Sequence, residues 1–200
     1  MMTNAPQSVG DAKPETLENY RDFEPPVQVR RIAEDLLEYV PAHYLRGLDK
    51  IILTNQLALT RDQRRQKIWG RRHKYRLAEA RGAYYQATNS SLATIWLFVD
   101  NILKSQPPWA LKAPLLRYSG FGEVLYHEIG HHIHAVHKPV HEGQENVAED
   151  WSKKLWWEFF RRKYWYLIPI RYPLLVLTKL AMRTLQSVRD ARRTKTASSD

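Results

Sequence analysis

The chain predicts an α+β fold, on three observations. A stripe of apolar residues at helical spacing opens it, short β-rich runs fill its middle, and a helix bearing five of its eight histidines follows them. The expected architecture is a small, mostly antiparallel sheet packed on the histidine helix. A glutamate-bearing helix and a hydrophobic, basic helical tail complete it.

The elements follow in order. Residues 1–24, "MMTNAPQSVGDAKPETLENYRDFE", are polar and lack an apolar period, so they are expected to be a disordered N-terminal tail. They hold no basic region followed by an apolar one and do not read as a secretory signal. A single domain is expected over 25–163. Its first helix lies within "PPVQVRRIAEDLLEYV" (25–40), where Val29, Ile32, Leu36, Leu37 and Val40 share one face, and it ends before Pro41. "DKIILTN" (49–55), "GAYYQATN" and "SLATIWLFVDNIL" carry β-branched and aromatic residues between Gly, Asn and Ser, which predicts about three strands. "SQPPWALKAPLLRYSG" (105–120), with three prolines and a terminal glycine, predicts a loop or short helical turns.

Beyond 163, "YWYLIPIRYPLLVLTKLAM" (164–182) is long enough to span a bilayer. Pro169, Arg171, Pro173 and Lys179 interrupt it, so no transmembrane span is expected. The preferred reading of 164–193 is a helix packed on the core. The alternative is an interfacial segment peripheral to the membrane, flanked by Arg161, Arg162, Lys163 and Arg183. Residues 194–200 are expected to be disordered.

Composition narrows the chemistry. A hydrophobic fraction of 44% in 200 residues suits one packed domain. The absence of cysteine excludes disulfides and thiolate metal sites and suits the cytoplasm, so any metal must be held by His, Asp or Glu. The net charge of +10 is uneven: residues 61–81, a basic insertion, hold nine Lys or Arg against Asp62 and Glu79. Such a segment is either a solvated surface or a contact for a polyanion, nucleic acid or an anionic membrane surface. Trp69 and Tyr75 are suited to stacking on bases, but no RRM, zinc-finger or homeodomain pattern surrounds them.

The most informative stretch is "YHEIGHHIHAVH" (126–137). On a helical wheel with His127 at zero, His131 falls at about 40°, Glu128 at about 100° and His134 at about −20°. Leu125, Ile129, Ile133 and Val136 gather on the opposite face. Two imidazoles one turn apart can bind one ion, and Glu128 beside them can reach a water on it; this is the HExxH arrangement.

A third ligand is needed. His137 has the spacing of a metzincin third histidine, but the glycine that lets such a chain leave the helix is here His134. If the helix continues, His137 lies about 9 Å further along the axis than His131, too far for the same ion. His134 is expected to line a cleft or be exposed, and His132 to be structural or solvated. In "QENVAEDWSKKLWWEFF" (144–160), Val147, Ala148, Trp151, Leu155 and Phe159 form an inner stripe bordered by Glu145 and Glu149. These carboxylates fit either a His2Glu site with its outer shell or a solvated helix N-terminus favoured by the macrodipole.

"HEIGH" followed 14 residues later by "ENVAE" resembles the gluzincin branch of the zincin metallopeptidases, and the minimal ImmA/IrrE-like forms in particular. The resemblance implies Zn2+ held by His127, His131 and Glu145, Glu128 as general base, and Glu149 hydrogen-bonded to a ligand imidazole. It covers about 30 residues firmly; the basic insertion and hydrophobic tail have no counterpart in it.

The expected function is a zinc-dependent metallopeptidase, a hydrolase acting on a peptide or protein substrate. The strand "SLATIWLFV" is expected to offer its edge to that substrate, with Tyr118 and Tyr126 as candidate transition-state donors. The alternative is a protein binding nucleic acid or a membrane surface that keeps a structural or vestigial metal helix.

Overall fold

The computed structural model describes residues 13–69, 74–137 and 144–167. The chain divides into two compact units, Met1–Phe159 and Phe160–Asp200. The first is an α+β structure with a small mixed sheet and five helices, the last of which, Gln144–Lys163, runs past the boundary. The expected disordered ends, 1–12 and 194–200, and most of the tail helix lie outside the described residues.

The sheet contains strands β1 (Glu15–Asn19), β2 (Leu48–Thr54), β5 (Gly82–Tyr85) and β6 (Ala93–Phe98), in the order β1-β2-β6-β5. The β1–β2 and β2–β6 pairs are parallel and the β5–β6 pair antiparallel, which corrects the expectation of a mostly antiparallel sheet. For the β1–β2 pair the cause is the helix α1 (Val29–Leu37) between the two strands: a crossover helix returns the chain in the same direction, where a tight turn would reverse it. As the periodicity predicts, Val29, Ile32, Leu36, Leu37 and Val40 are all buried.

β1 is a second correction, because it falls inside the tail expected to be disordered. In "ETLEN" only Thr16 is buried, so the strand carries no apolar signal. Backbone pairing holds it, and the Asn55 amide clamps the chain beyond it: its nitrogen donates to the Arg21 carbonyl (2.8 Å) and its oxygen accepts from the Arg21 N–H (3.0 Å). A short polar edge strand of this kind also resists pairing with other chains.

The basic segment is partly folded. Helix α2 (Arg61–Arg65) opens with a capping box between Thr60 and Gln63. It leads into a two-stranded ribbon of β3 (Lys67–Trp69) and β4 (Lys74–Arg76), in which Ile68 and Tyr75 pair across the strands. Both pack against a buried cluster of Leu59, Leu77, Ala80, Ala83 and Phe98. Arg64 donates to the carbonyls of Leu59 (3.1 Å) and Leu57 (2.9 Å), so this cation serves the fold. Arg71 and Arg72 lie outside the described residues.

After β6 the chain turns through α3 (Val99–Lys104) into α4 (Pro114–His137). The stretch 105–120 is therefore a short helical turn at Pro108–Lys112 followed by the first turns of a long helix. Proline suits the first position of a helix, where its missing N–H would have no partner within the helix, so Pro114 starts α4 where the sequence reads as interrupted. The last helix is α5 (Gln144–Lys163). On it Ala148, Leu155 and Phe159 are buried while Asn146, Asp150, Lys153 and Lys154 are exposed, as the spacing predicts. No helix among the described residues is long and apolar enough to cross a membrane.

Candidate metal centre

α4 is enclosed more completely than its two-faced pattern implies. Leu125, Ile129 and Ile133 are buried as expected, but Val136 is half exposed, and Glu128, His132 and His134 are buried too. His132 is structural: its Nε2 lies 2.9 Å from the Arg46 carbonyl oxygen and its Nδ1 3.2 Å from the Tyr84 hydroxyl, so strand and loop hold both ring nitrogens. His134 is buried and does not line the cleft. The helix continues through position 134 to His137, so the chain makes no metzincin-like exit there.

The front of α4 meets α5 at a corner. His127 Nε2 and His131 Nε2 stand 3.2 Å apart, His127 Nε2 lies 3.4 Å from Glu145 Oε2, and His131 Nε2 lies 3.8 Å from Glu145 Oε1. Among the described residues these three form the group of His, Asp and Glu donors close enough to share an ion. The fit can be tested by geometry. Ligands at 2.0–2.1 Å around a tetrahedral ion are separated by about 3.3 Å; the two imidazole nitrogens (3.2 Å) and the His127 Nε2–Glu145 Oε2 pair (3.4 Å) match that value, while the 3.8 Å approach to His131 is made by the other carboxylate oxygen, Oε1. The donor set, two imidazoles and a carboxylate without sulfur, is one that zinc accepts.

Two seams position these groups, and each contains a glycine. A Cβ at Gly130, inside the HEIGH motif, would lie 2.7 Å from the Ala148 carbonyl oxygen and 2.8 Å from its Cα. Glycine on one helix and alanine on the other therefore let α4 and α5 approach closely enough for Glu145 to reach the histidines. A Cβ at Gly82, the first residue of β5, would meet Glu128 Oε1 at 2.6 Å and Val124 Cγ1 at 2.7 Å. That contact presses Glu128 against the edge strand, where its carboxylate accepts the Tyr84 backbone N–H.

The electrostatics follow from this packing. Burial pushes the Glu128 carboxyl up to about 7, against the opposing pull of His127. Burial disfavours charge on His127, but the hydrogen bond to Glu145 and the charges of Glu128, Glu145 and Glu149 outweigh it and raise its pKa. His131 is pushed down to about 4 by burial and by the neighbouring His127. Positive charge is therefore favoured on His127 beside Glu145, while His131 stays neutral. A bound cation would take over that role.

Glu149 lines the same cleft. It ion-pairs with Lys153 (2.8 Å) and acts on His127 through its charge. The cleft encloses about 790 Å³ between α4, α5, β5 and the β3–β4 ribbon.

Tyr118 and Tyr126, the candidate donors, are not among its lining residues. The Tyr126 hydroxyl donates to the Leu36 carbonyl (2.9 Å) and the Tyr118 hydroxyl to Asp35, so both are committed to α1. The cleft tyrosines are Tyr75, Tyr84 and Tyr85. The strand edge also moves: β6 is flanked by β2 and β5, so the edge beside the cleft belongs to β5. No spacing rule in the sequence points to Tyr75 as a cleft residue. The closest signal is Tyr75 standing between two charged residues, Lys74 and Arg76.

Comparison with known proteins yields no matching family model, no matching curated protein and no matching solved structure.

Proposed function

We propose that this chain is a zinc-dependent metallopeptidase, and the observation that carries the reading is the His127–His131–Glu145 corner with the buried Glu128 beside it. One donor atom from each of the three lies within 4.8 Å of the others, a grouping that can close on one ion, and three protein ligands leave a fourth tetrahedral position open. The resemblance of "HEIGH…ENVAE" to the gluzincins supports the same assignment. A bound zinc ion supplies Lewis acidity, which activates a water and polarises a carbonyl.

The chain's own residues do the rest. Glu128 accepts a proton and later delivers it to the leaving amine. Its carboxylate is aimed by the Tyr84 N–H and by the close approach at Gly82, so it reaches the cleft in one orientation. The edge of β5 provides main-chain groups along which an extended peptide can lie, and the cleft opens beside it.

Metal analysis of the purified protein tests the first half of the proposal: about one zinc per chain is expected, and none would refute it. Glu128→Gln tests the second half. The variant is expected to keep its fold and zinc while hydrolysis of a casein-type protein substrate, or of cell proteins compared after expression, falls by about 10²- to 10⁴-fold. Undiminished proteolysis would remove Glu128 from the mechanism.

One further feature favours a second, compatible property. In the second unit Trp165 and Tyr166 are 68% and 52% exposed, directly after Arg161, Arg162 and Lys163. Exposed aromatics beside a basic cluster suit the interface of an anionic membrane. Flotation with vesicles containing anionic lipid is expected to carry the protein upward, and protein left entirely at the bottom rules the contact out.

A further inference from the structure

We propose that His132 is a positioning residue for the reaction: through the Tyr84 phenol it holds edge strand β5 in register with α4, and so keeps Glu128 aimed. The inference rests on the metallopeptidase reading and deepens it, because it assigns work to a histidine of the 126–137 stretch that stands outside the donor corner.

Two side chains of α4 take hold of one residue. Glu128 and His132 stand four positions apart, one helical turn, and so project on one flank of the helix. Tyr84 lies against both: its backbone N–H donates to the Glu128 carboxylate, and its hydroxyl lies 3.2 Å from His132 Nδ1. Gly82, two residues earlier on the same face of β5, carries the close approach to Glu128. A strand attached at one point could still pivot or slide along the helix. Attached at two, it is fixed in both respects, and the base is fixed with it.

The hydrogen-bond directions follow from chemistry. The ring of His132 is buried, so both nitrogens must find partners within the protein. Nε2 lies 2.9 Å from the Arg46 carbonyl oxygen, which can only accept, so Nε2 carries the ring proton. In the neutral ring Nδ1 is then an acceptor, and the Tyr84 hydroxyl must be the donor. The loop that supplies the carbonyl is itself tied down, because the next carbonyl along, that of Gly47, accepts the Ala93 N–H at 3.2 Å. The tether therefore runs from a held loop through His132 to Tyr84 and ends on Glu128.

The test uses the full chain and begins with two readouts that need neither zinc nor turnover. Nitrogen NMR of the histidine rings in the wild type reads the His132 tautomer, and the proton is expected on Nε2. Tyr84→Phe removes the hydroxyl and keeps both the backbone N–H and the ring, which packs edge-on against His132 at a centroid distance of 5.6 Å. In this variant, hydrogen exchange at the amide of residue 84 is expected to be about 10-fold faster than in the wild type, the effect of one lost buried hydrogen bond. The variant is expected to bind zinc like the wild type. It should hydrolyse casein with kcat about 10-fold lower and KM unchanged, because the cleft is kept while the base loses its aim.

A proton on Nδ1 of His132 in the wild type overturns the inference, and that measurement decides even if Tyr84→Phe does not fold. Unchanged exchange in the variant overturns it too, because the phenol then does not hold the strand. Faster exchange with unchanged kcat also overturns it, since the contact is then structural only. Loss of zinc does the same, because the tether then serves the metal corner rather than the base. In all of these cases the peptidase reading survives. A wild type that takes up no zinc, or takes it up and hydrolyses nothing, defeats the reading itself, and the inference falls with it.

Discussion

The two glycine seams of the site look alike but differ in what stands opposite the missing Cβ. At Gly130 the neighbour is the Ala148 backbone, which cannot swing away; at Gly82 it is the side chains of Glu128 and Val124, which can. The first seam sets a distance between two helices and hence the position of Glu145. The second sets the orientation of one carboxylate. A metal corner needs fixed separations, because a ligand displaced by an ångström no longer reaches the ion. A base needs only to be aimed. The packing therefore puts its least forgiving contact where the tolerance is smallest.

The largest expected effect is the direct one. Glu145→Ala is expected to lower zinc affinity by about a hundredfold or more, whereas His137→Ala, at the end of the uninterrupted helix, should leave it unchanged. Equilibrium dialysis with zinc measures both, and the reverse pattern would show that α4 breaks before His137 when metal binds.

Gly130→Ala comes next and sharpens the comparison itself. Alanine raises helix propensity by about 1 kcal/mol, but its methyl group would overlap a backbone that cannot yield, at an overpacking cost of about 1–3 kcal/mol. Helix separation is expected to win: a lower Tm and zinc affinity reduced about tenfold or more. If the Tm rises and zinc binding holds, the seam is looser than the contact distances imply.

Gly82→Ala should do the opposite at the metal. Zinc affinity is expected to stay within about twofold, because α4 and α5 are not forced apart, while a misaimed Glu128 slows hydrolysis about 10- to 100-fold. A thermal melt and zinc titration beside an activity assay separate the two seams; loss of zinc here would mean that they are mechanically one.

The smallest effect is expected on the ribbon's outer surface. Lys74 and Arg76 on the ribbon and Arg65 at the end of α2 are exposed and do not line the cleft, and replacing all three with Gln should shift stability by no more than about 1 kcal/mol and leave zinc intact. Any binding to heparin or duplex DNA should weaken, with a shallower salt dependence. If no such binding is measurable in the wild type at low salt, these cations only solubilise the cleft wall.

Much of this molecule is written locally. The spacing of Val29, Ile32, Leu36 and Leu37, the i, i+4 placement of His127 and His131, and the inner stripe of α5 all follow from a helical period set within a few residues, so the sequence alone determined which side chains share a face. It determined the α+β class in the same way, through a stripe of one period followed by runs of another.

Only the tertiary structure decided the rest. The polar "ETLEN" became a strand because β2 offered it backbone partners, and pairing direction depended on where α1 returned the chain. His132 was buried against a strand and a loop far from it in sequence, at Tyr84 and Arg46. Tyr75 reached the cleft because its ribbon packed on Leu59, Leu77 and Phe98, and Gly130 mattered only once Ala148 lay against it. The physical reason is common to all of these: hydrogen bonds within a helix close over four residues, whereas strand partners, burial and close approach are properties of pairs that the chain brings together only on folding.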